Sequence, residues 1–273
     1  MRIAVISGLD NNEIVTVSRQ VCEKLADCGA EVVTAQPSEA DAVLPGVDAV
    51  VALGGDGTMM RLAKRAARYD KPLLGVNCGH LGFMASIEAN ELSLLSKLVS
   101  GEYEIEPRRL LEVTAVTAEG SRSFAALNEA AISRGVTTHM AEFTVYKENE
   151  TWITYRADGV IVASPTGSTA YSLSAGGPIV DPAVDALILT PICPHSLTAR
   201  PFVLSGDSEL AISVQPKSEG DTVYLSVDGE EGVELTAQDR VMIRRHDRTV
   251  RFIRIKSHNF CEILRKKMMN RAE

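Results

Sequence analysis

The sequence predicts an α/β domain built on a doubly wound parallel sheet, followed by a β-rich domain. Two observations carry this prediction. Up to about residue 100, short apolar strand patterns alternate with amphipathic helix patterns, which is typical of a parallel sheet covered by helices. After Gly101 the pattern changes to short alternating runs separated by turn residues, and Pro107 marks the predicted boundary.

The first domain is predicted to contain four strands and three helices. The strands are expected at residues 2–7, 31–35, 48–53 and 71–77. Asp10 and Glu13 have the spacing of a capping box that opens the first helix, and Gly29 closes it. The apolar face of this helix is predicted to comprise Ile14, Val17, Val21 and Leu25. Two further helices are expected around residues 60–69 and 92–99.

The second domain is predicted from period-2 alternation. Strand-like runs occupy residues 111–116, 123–127, 141–146, 151–155, 209–214, 222–227, 240–245 and 249–255. The charged run at 244–248 is interpreted as the solvated end of a hairpin. A helix is expected at 258–269, packing back on the first domain. The predicted domains are therefore residues 1–107 and 108–255, with 256–273 as a terminal segment.

Composition restricts the class of protein. The 273 residues are 45% hydrophobic and 23% charged, as in a soluble globular protein, and no apolar stretch reaches the roughly 20 residues of a membrane helix. The net charge of −8 argues against non-specific nucleic-acid binding, so the expected partner is a small molecule. Five scattered cysteines without a C-x-x-C pair, and no signal peptide, favour a reduced, cytoplasmic protein.

The most informative segment is Gly54-Gly55-Asp56-Gly57-Thr58, which follows a run with the character of a buried strand. Open α/β sheets bind ligands at the carboxyl ends of their strands, and glycine lets backbone N–H groups approach phosphate oxygens. Asp56 repels phosphate, so its expected role is to hold Mg²⁺ or to take the proton of an attacking hydroxyl. The pentapeptide therefore predicts phosphoryl transfer; the alternative is a turn in which Asp56 caps a helix.

A second dense segment is Asp158 to Tyr171, DGVIVASPTGSTAY, followed by Ser172 to Pro178. It begins as a buried strand and continues into a tight loop of hydroxyl residues suited to hydrogen-bonding a polar ligand. Tyr171 would offer a stacking face for a base. Serine, threonine, glycine and proline also build ordinary turns, so the alternative interpretation is a connecting turn without a ligand.

Five segments occur together, in this order, in NAD kinases, and the chain resembles that family over nearly its whole length. They are GGDGT at 54–58, N-x-G-x-L-G-F at 77–83, Asn128-Glu129, the 158–171 segment, and CPHSL at 193–197 continuing to Arg200-Pro201. GGDG alone is shared with diacylglycerol and sphingosine kinases and is similar to a phosphofructokinase signature. The later segments are more specific to NAD kinases.

The resemblance implies transfer of the ATP γ-phosphoryl group to the 2′-hydroxyl of the adenosine ribose of NAD, on an α/β domain and a β-sandwich-like domain. Asp56 resembles the residue that activates the acceptor hydroxyl, and Asn128 and Glu129 the pair that contacts NAD. Asp158 resembles the aspartate at the nicotinamide amide. The remaining residues implied in ligand binding are Gly54, Gly55, Gly57, Thr58, Phe83, Arg156, Thr169, Ala170, Tyr171 and Ser174. Independently of the resemblance, the spacing of Arg61, Lys64 and Arg65 after the glycine loop is suited to screening ATP phosphates; the alternative is an ordinary charged face of an exposed helix.

The resemblance also implies Mg²⁺, whose ligands the sequence does not identify, and a homodimer or homotetramer. ATP is the expected phosphate donor. Because Met59-Met60-Arg61 after GGDGT departs from the family pattern, inorganic polyphosphate is kept as an alternative donor. Two other functions remain as alternatives. One is a lipid or other small-molecule kinase that shares GGDGT, and the other is a non-catalytic dinucleotide-binding regulator.

Overall fold

The computed structural model describes residues 1–8, 12–79, 82–136, 139–218, 220–256 and 260–270. The chain divides into two compact units. The first unit is Met1–Pro107 with Thr249–Glu273, and the second is Arg108–Arg248. The capping residue predicted at Asp10 and the predicted helix start at residue 258 lie outside the described residues.

Six α-helices are described. They are α1 (Asn12–Asp27), α2 (Ala40–Val43), α3 (Asp56–Arg68), α4 (Leu95–Ser100), α5 (Tyr171–Ser174) and α6 (Phe260–Asn270). Short 3₁₀ segments occur at Pro37–Glu39, Leu44–Gly46, Leu92–Leu94 and Thr166–Thr169. The strands are β1 (Arg2–Ser7), β2 (Glu31–Ala35), β3 (Ala49–Gly54), β4 (Leu73–Asn77), β5 (Ile87–Glu88), β6 (Glu104–Thr117), β7 (Gly120–Ala126), β8 (Glu129–Arg134), β9 (Ala141–Lys147), β10 (Glu150–Ala157), β11 (Gly159–Ala163), β12 (Ala186–Ile192), β13 (Phe202–Ser205), β14 (Leu210–Gln215), β15 (Val223–Val227), β16 (Glu230–Leu235) and β17 (Arg240–Arg254).

The first unit contains the predicted parallel sheet, in the order β2-β1-β3-β4. β5 pairs with β4, and the end of β17 pairs in parallel with β4 through Phe252 and Leu73. β3 and β4 are buried along their whole length, which explains their continuous apolar sequences. The predicted face of α1 is buried in the core of this unit, so the α/β prediction is confirmed.

The second unit is built from antiparallel strands, as its alternating pattern predicts. One sheet has the order β13-β12-β11-β8-β15-β16, and β10, β9, β14 and β17 pair in a second sheet. One apolar cluster contains residues of both sheets, among them Phe143 of β9, Val160 of β11 and Ile212 of β14. Two sheets that share one core form a sandwich-like unit.

Two sequence predictions of local structure are wrong. α3 begins at Asp56 instead of near residue 60, so Asp56, Gly57 and Thr58 form the first helical turn and the glycine turn is shorter than predicted. The run 244–248 does not end a hairpin, because it lies inside the continuous strand β17. Arg244 alternates with buried Val241 and Ile243, and Arg245 and Arg248 are also exposed, so a strand can carry these charges in solvent.

No helix in the described ranges has the length and apolar character required to cross a membrane. All five cysteines are free thiols.

Candidate active site

Asp56 stands where β3 passes into α3. β3 ends at Gly54, whose φ of +146° suits glycine, and Gly55 occupies the N-cap position in an extended conformation. Asp56 is therefore the first residue of a 13-residue helix. The unpaired N–H groups and the dipole at a helix amino terminus favour negative charge, both for this carboxylate and for a phosphate ligand. Gly55 and Gly57 are exposed at this terminus.

Thr58 is buried beneath the turn. A Cβ on Gly8 would lie 2.4 Å from its Oγ1, and a Cβ on Gly54 would lie 3.0 Å from its Cβ. The two glycines therefore leave the space that Thr58 fills, and the structure places this residue in the packing of the turn. Arg61 is exposed on α3. Arg65 of the same helix donates a hydrogen bond to the Pro37 carbonyl.

The Asp56 carboxylate is held by three donors. The backbone N–H of Phe83 donates to Oδ2 at 3.0 Å, and that of Met84 donates to Oδ1 at 3.2 Å. Lys267 of α6 donates to Oδ2 at 3.3 Å. The ammonium of Lys267 also lies 3.8 Å from the centroid of the Phe83 ring, which lies 6.0 Å from the ring of Phe260. The carboxylate is thus fixed in position before any ligand binds.

Gly82 permits this geometry. A Cβ built on Gly82 would lie 2.2 Å from Asp56 Oδ1, closer than a Cβ can approach. The predicted motif at 77–83 contains Gly82, but the sequence did not connect it to Asp56. Its role here is to let the backbone of Phe83 and Met84 reach the carboxylate.

We expect Gly82→Ala to lower kcat by about 10²-fold, because the added methyl must displace the carboxylate and a misplacement of about 1 Å has that order of effect. Gly46→Ala, where the nearest atom to an added Cβ is an exposed arginine nitrogen at 3.4 Å, serves as the control. Initial-rate kinetics and thermal unfolding of both variants check this expectation. An active, folded Gly82→Ala protein would show that the position of Asp56 is not critical.

A buried arginine supports the loop that holds Asp56. Arg254 of β17 pairs with Glu106 and donates to the carbonyls of Met84 at 3.0 Å and Ala85 at 3.4 Å. Its side chain is only 5% exposed, and burial lowers the pKa of its guanidinium. Sequence reasoning missed this residue. One signal in the sequence could have identified it. Arg254 follows Val250 and Phe252 at a spacing of two residues, which places it on the same buried face of the strand.

In the second unit, Asp228 fixes the backbone at Asn128 and Glu129. Its carboxylate accepts hydrogen bonds from the N–H groups of Leu127, Asn128 and Glu129 at 2.9, 2.8 and 3.1 Å. On the other side, the N–H of Ser164 donates to the Asn128 carbonyl at 2.8 Å. The sequence identified neither Asp228 nor Ser164 as a residue that positions the site.

Gly167 brings the two predicted motifs of this unit together. A Cβ on Gly167 would lie 2.1 Å from the Asn128 carbonyl oxygen, so the 164–171 loop can approach this backbone only with glycine there. The loop itself is a 3₁₀ turn, Thr166–Thr169, that leads into α5. Thr169 and Ala170 are half-buried, whereas Tyr171 and Ser174 are exposed.

Glu129 is an unusual buried carboxyl group. Its side chain is 7% exposed, and its Oε2 atom has no hydrogen-bond partner among the described residues. The backbone N–H of Tyr171 donates to the carboxyl group. Burial, assisted by the nearby charge of Asp228, raises the pKa of Glu129 to about 7. An unsatisfied buried carboxyl oxygen is suited to meet a polar group of a ligand.

Because the pKa of Glu129 is raised on folding from 4.5 to about 7, the folded state binds the proton more tightly. The free energy of unfolding should therefore fall as the pH rises from 4.5 to about 7, and it should stay low at higher pH. We expect Glu129→Gln to be more stable than the wild type by up to about 3 kcal/mol at pH 8 and equal to it near pH 4. Urea unfolding at both pH values checks this, with the exposed Glu234→Gln as the control for loss of one charge. A stability difference between Glu129→Gln and the wild type that is the same at both pH values would contradict this expectation.

Asp158 is paired with an arginine of β8. Arg134 donates to Asp158 Oδ1 at 2.6 Å, and the two residues also share a backbone hydrogen bond of 2.9 Å. Arg156 is exposed and lies 4.0 Å from Glu142. The charges of Asp158 and Glu129 both contribute to the raised pKa of Tyr171, after the larger effect of burial. The Tyr171 hydroxyl therefore lies within electrostatic range of both carboxyl groups.

The described residues do not form a metal-binding cluster. No group of three or more His, Cys, Asp or Glu side chains in that part of the chain could hold a metal ion. Asp56 contributes one carboxylate at the glycine turn, and this carboxylate accepts three N–H donors. The residues present therefore do not fit a resident metal held by the protein alone.

A carboxylate in the first turn of a helix after a glycine turn, on a chain with an α/β and a β-rich unit, is the arrangement that the sequence predicts for a small-molecule kinase. Residues 38–103 match the family model of the ATP-NAD kinase N-terminal domain, and residues 127–255 match that of the ATP-NAD kinase C-terminal domain. The NAD kinase of Caldanaerobacter subterraneus subsp. tengcongensis is 38% identical, over 99% of this chain and 99% of its own. The chain belongs to the NAD kinase family.

Further relatives agree. The NAD kinase of Symbiobacterium thermophilum is 40% identical over 98% of each chain. Among solved structures, yeast NADH kinase complexed with NADH has a TM-score of 0.83 at 26% identity and is aligned over 95% of this chain and 84% of its own. An NAD kinase from Archaeoglobus fulgidus in complex with ATP has a TM-score of 0.77 at 27% identity, over 94% of this chain and 95% of its own.

Proposed function

We propose that this protein phosphorylates the 2′-hydroxyl of the adenosine ribose of NAD, with ATP as donor and Asp56 as general base. The observation that carries the proposal is the Asp56 carboxylate, held by backbone N–H groups at the amino terminus of α3. Membership of the NAD kinase family supports the choice of substrates. The complexes of its relatives with ATP and with NADH support it further.

The hydrogen bonds of Asp56 leave room for an acceptor hydroxyl. An ionised carboxylate offers about four acceptor positions on its two oxygens. Within the described residues, Oδ2 accepts from Phe83 and Lys267, and Oδ1 accepts from Met84. Oδ1 therefore retains a position for a ribose hydroxyl, which it would orient and deprotonate as the bond to phosphorus forms. Such general-base catalysis contributes about 10²–10⁴-fold.

Mg²⁺ belongs in this proposal as part of the nucleotide substrate. The ion would enter bound to the phosphate oxygens of ATP and would neutralise their charge, because it commonly retains substrate phosphates and water as ligands. The exposed glycines at the start of α3 would then lie along the phosphates. Arg61 on the same helix is a further candidate for phosphate contact.

On the NAD side, we propose that Asn128, Glu129 and Asp158 bind the dinucleotide, with Tyr171 as a stacking face. The buried position of Glu129 supports this role, because its Oε2 atom, which has no hydrogen-bond partner among the described residues, would gain one from a ribose hydroxyl. Thr169, Ala170 and Ser174 would line the adenine, and Phe83 the nicotinamide side. Arg156, which is exposed, would act only through its charge.

The remaining expectations are also proposals. We propose that residues 1–107 and 108–255 act as domains, with 256–273 as a terminal segment that packs back on the first. We also propose that the protein is a homodimer or homotetramer and that it resides in the cytoplasm. The five free thiols support a reducing compartment. Light scattering coupled to size-exclusion chromatography would give the number of subunits.

The direct test is an endpoint assay of purified protein with ATP, Mg²⁺ and NAD, in which NADP is read through an NADP-specific dehydrogenase. We expect NADP to form with ATP, and parallel reactions with polyphosphate and with a diacylglycerol test the donor and the lipid-kinase alternative. Tight NAD binding by calorimetry without any NADP would support a binding regulator instead. Absence of both would overturn the proposed function.

A further inference from the structure

Lys267 contacts Asp56 although it belongs neither to the glycine turn nor to the 77–83 motif. It lies on α6, 211 residues after Asp56, yet its ammonium is 3.3 Å from the Asp56 carboxylate. The two side chains are 20% and 35% exposed, so the pair is partly shielded from water. No part of the sequence pattern around Lys267 singles it out from its neighbours.

Two aromatic rings hold α6 in this position. Phe260, at the start of α6, lies 6.0 Å from Phe83, and the ammonium of Lys267 lies 3.8 Å from the centroid of the same ring. A cation over an aromatic face is favoured by the ring quadrupole. Phe83 thus lies near two residues of α6, Phe260 and Lys267, while its own backbone N–H donates to Asp56. The lysine is placed by packing, and its position does not depend on the ion pair alone.

We propose that Lys267 is a catalytic residue that contacts the transferred phosphoryl group. The inference rests on the proposed function. A lone carboxylate would repel the γ-phosphate that must reach its bound hydroxyl, and an adjacent ammonium removes this repulsion. Lys267 has three N–H donors, of which Asp56 accepts one, so donors remain for phosphoryl oxygens.

The reach of the side chain suits this role. A hydroxyl bound to Asp56 lies about 2.7 Å from the carboxylate oxygen, and reacting atoms approach to about 3–3.5 Å before the reaction. The phosphoryl oxygens therefore come within range of a flexible ammonium already 3.3 Å from that carboxylate. Lysine commonly binds phosphate as a point charge.

In the step itself, the ribose oxygen forms a bond to the γ-phosphorus while the bond from that phosphorus to the β–γ bridging oxygen breaks. The electron pair of the broken bond leaves with ADP, and the hydroxyl proton passes to Asp56. Lys267 stays protonated throughout and stabilises the charge on the phosphoryl oxygens.

The test compares Lys267→Met with Lys267→Arg and with Lys266→Met, whose side chain is the exposed neighbour on the same helix. We expect kcat of Lys267→Met to fall by about 10²–10³-fold, as for loss of one charge-stabilising donor. The KM for NAD should change by less than about threefold, because the loss is confined to the transition state. Arginine should restore most of the rate, and Lys266→Met should match the wild type.

Steady-state kinetics of the full chain, with thermal unfolding as a check on folding, measure these values. A folded Lys267→Met enzyme with wild-type kcat would overturn the inference while the wild type still makes NADP. A wild type that makes no NADP would overturn the proposed function and this inference with it. If Lys267→Met does not fold, a Lys267→Gln variant with normal kcat would overturn the inference, and one with reduced kcat and normal KM for NAD would support it.

Discussion

Asp56→Asn is expected to lower kcat by about 10²–10⁴-fold, the contribution of a general base. The amide cannot take the proton of the ribose hydroxyl at neutral pH. It is close to the carboxylate in size and retains one oxygen, which can still accept from Phe83 or Met84. The other of these two backbone N–H groups would face the amide NH₂ group, which cannot accept a hydrogen bond. We therefore expect a modest loss of stability, about 1–3 kcal/mol, in addition to the loss of rate.

The control for Asp56→Asn is Asp70→Asn in the same unit. Asp70 is 81% exposed and pairs with Arg251, and its φ of 51° is one that asparagine readily adopts. Its variant should keep wild-type turnover. Both variants are assayed for NADP formation and for NAD binding by calorimetry. Full turnover by a folded Asp56→Asn protein that binds NAD would refute the assignment of the base.

Arg254→Met is expected to destabilise the protein by about 3–5 kcal/mol. The guanidinium is buried, and its removal leaves Glu106 and the carbonyls of Met84 and Ala85 without these hydrogen bonds. Removing one partner of a buried ion pair has an effect of this size. Since the carbonyls belong to the loop whose N–H groups hold Asp56, we also expect a lower kcat in the fraction that remains folded.

Two comparisons isolate this effect. Arg251→Met removes a more exposed ion pair three residues earlier on the same strand and should change stability by less than about 1 kcal/mol. The double variant Glu106→Gln with Arg254→Met should recover part of the loss, because no buried charge is left without its partner. Urea unfolding of the wild type, Glu106→Gln, Arg254→Met and the double variant measures the coupling, and Arg251→Met is measured alongside them. Equal losses from Arg251→Met and Arg254→Met would show that burial of the pair is unimportant.

Local pattern was sufficient for much of the first unit. The buried strands β3 and β4 and the face of α1 follow from apolar runs and from helical spacing, because a parallel sheet buries both of its faces. The beginning of α3 was missed because glycine has low intrinsic helix propensity, whereas the turn and the packing of Thr58 fix the helix from Asp56 onward. The continuity of β17 was missed because its exposed arginines resemble a turn.

The sequence by itself determined the fold class and the segments of the site, since period-2 and helical patterns and the glycine turn are local properties of the chain. Only the tertiary structure decided which groups meet Asp56. Phe83, Arg254 and Lys267 act on it directly or through the 84–85 carbonyls, although they lie between 27 and 211 residues away along the chain. Contacts at such separations arise from the packing of secondary-structure elements, which no local sequence pattern specifies. The charge around the Asp56 carboxylate depends on these contacts.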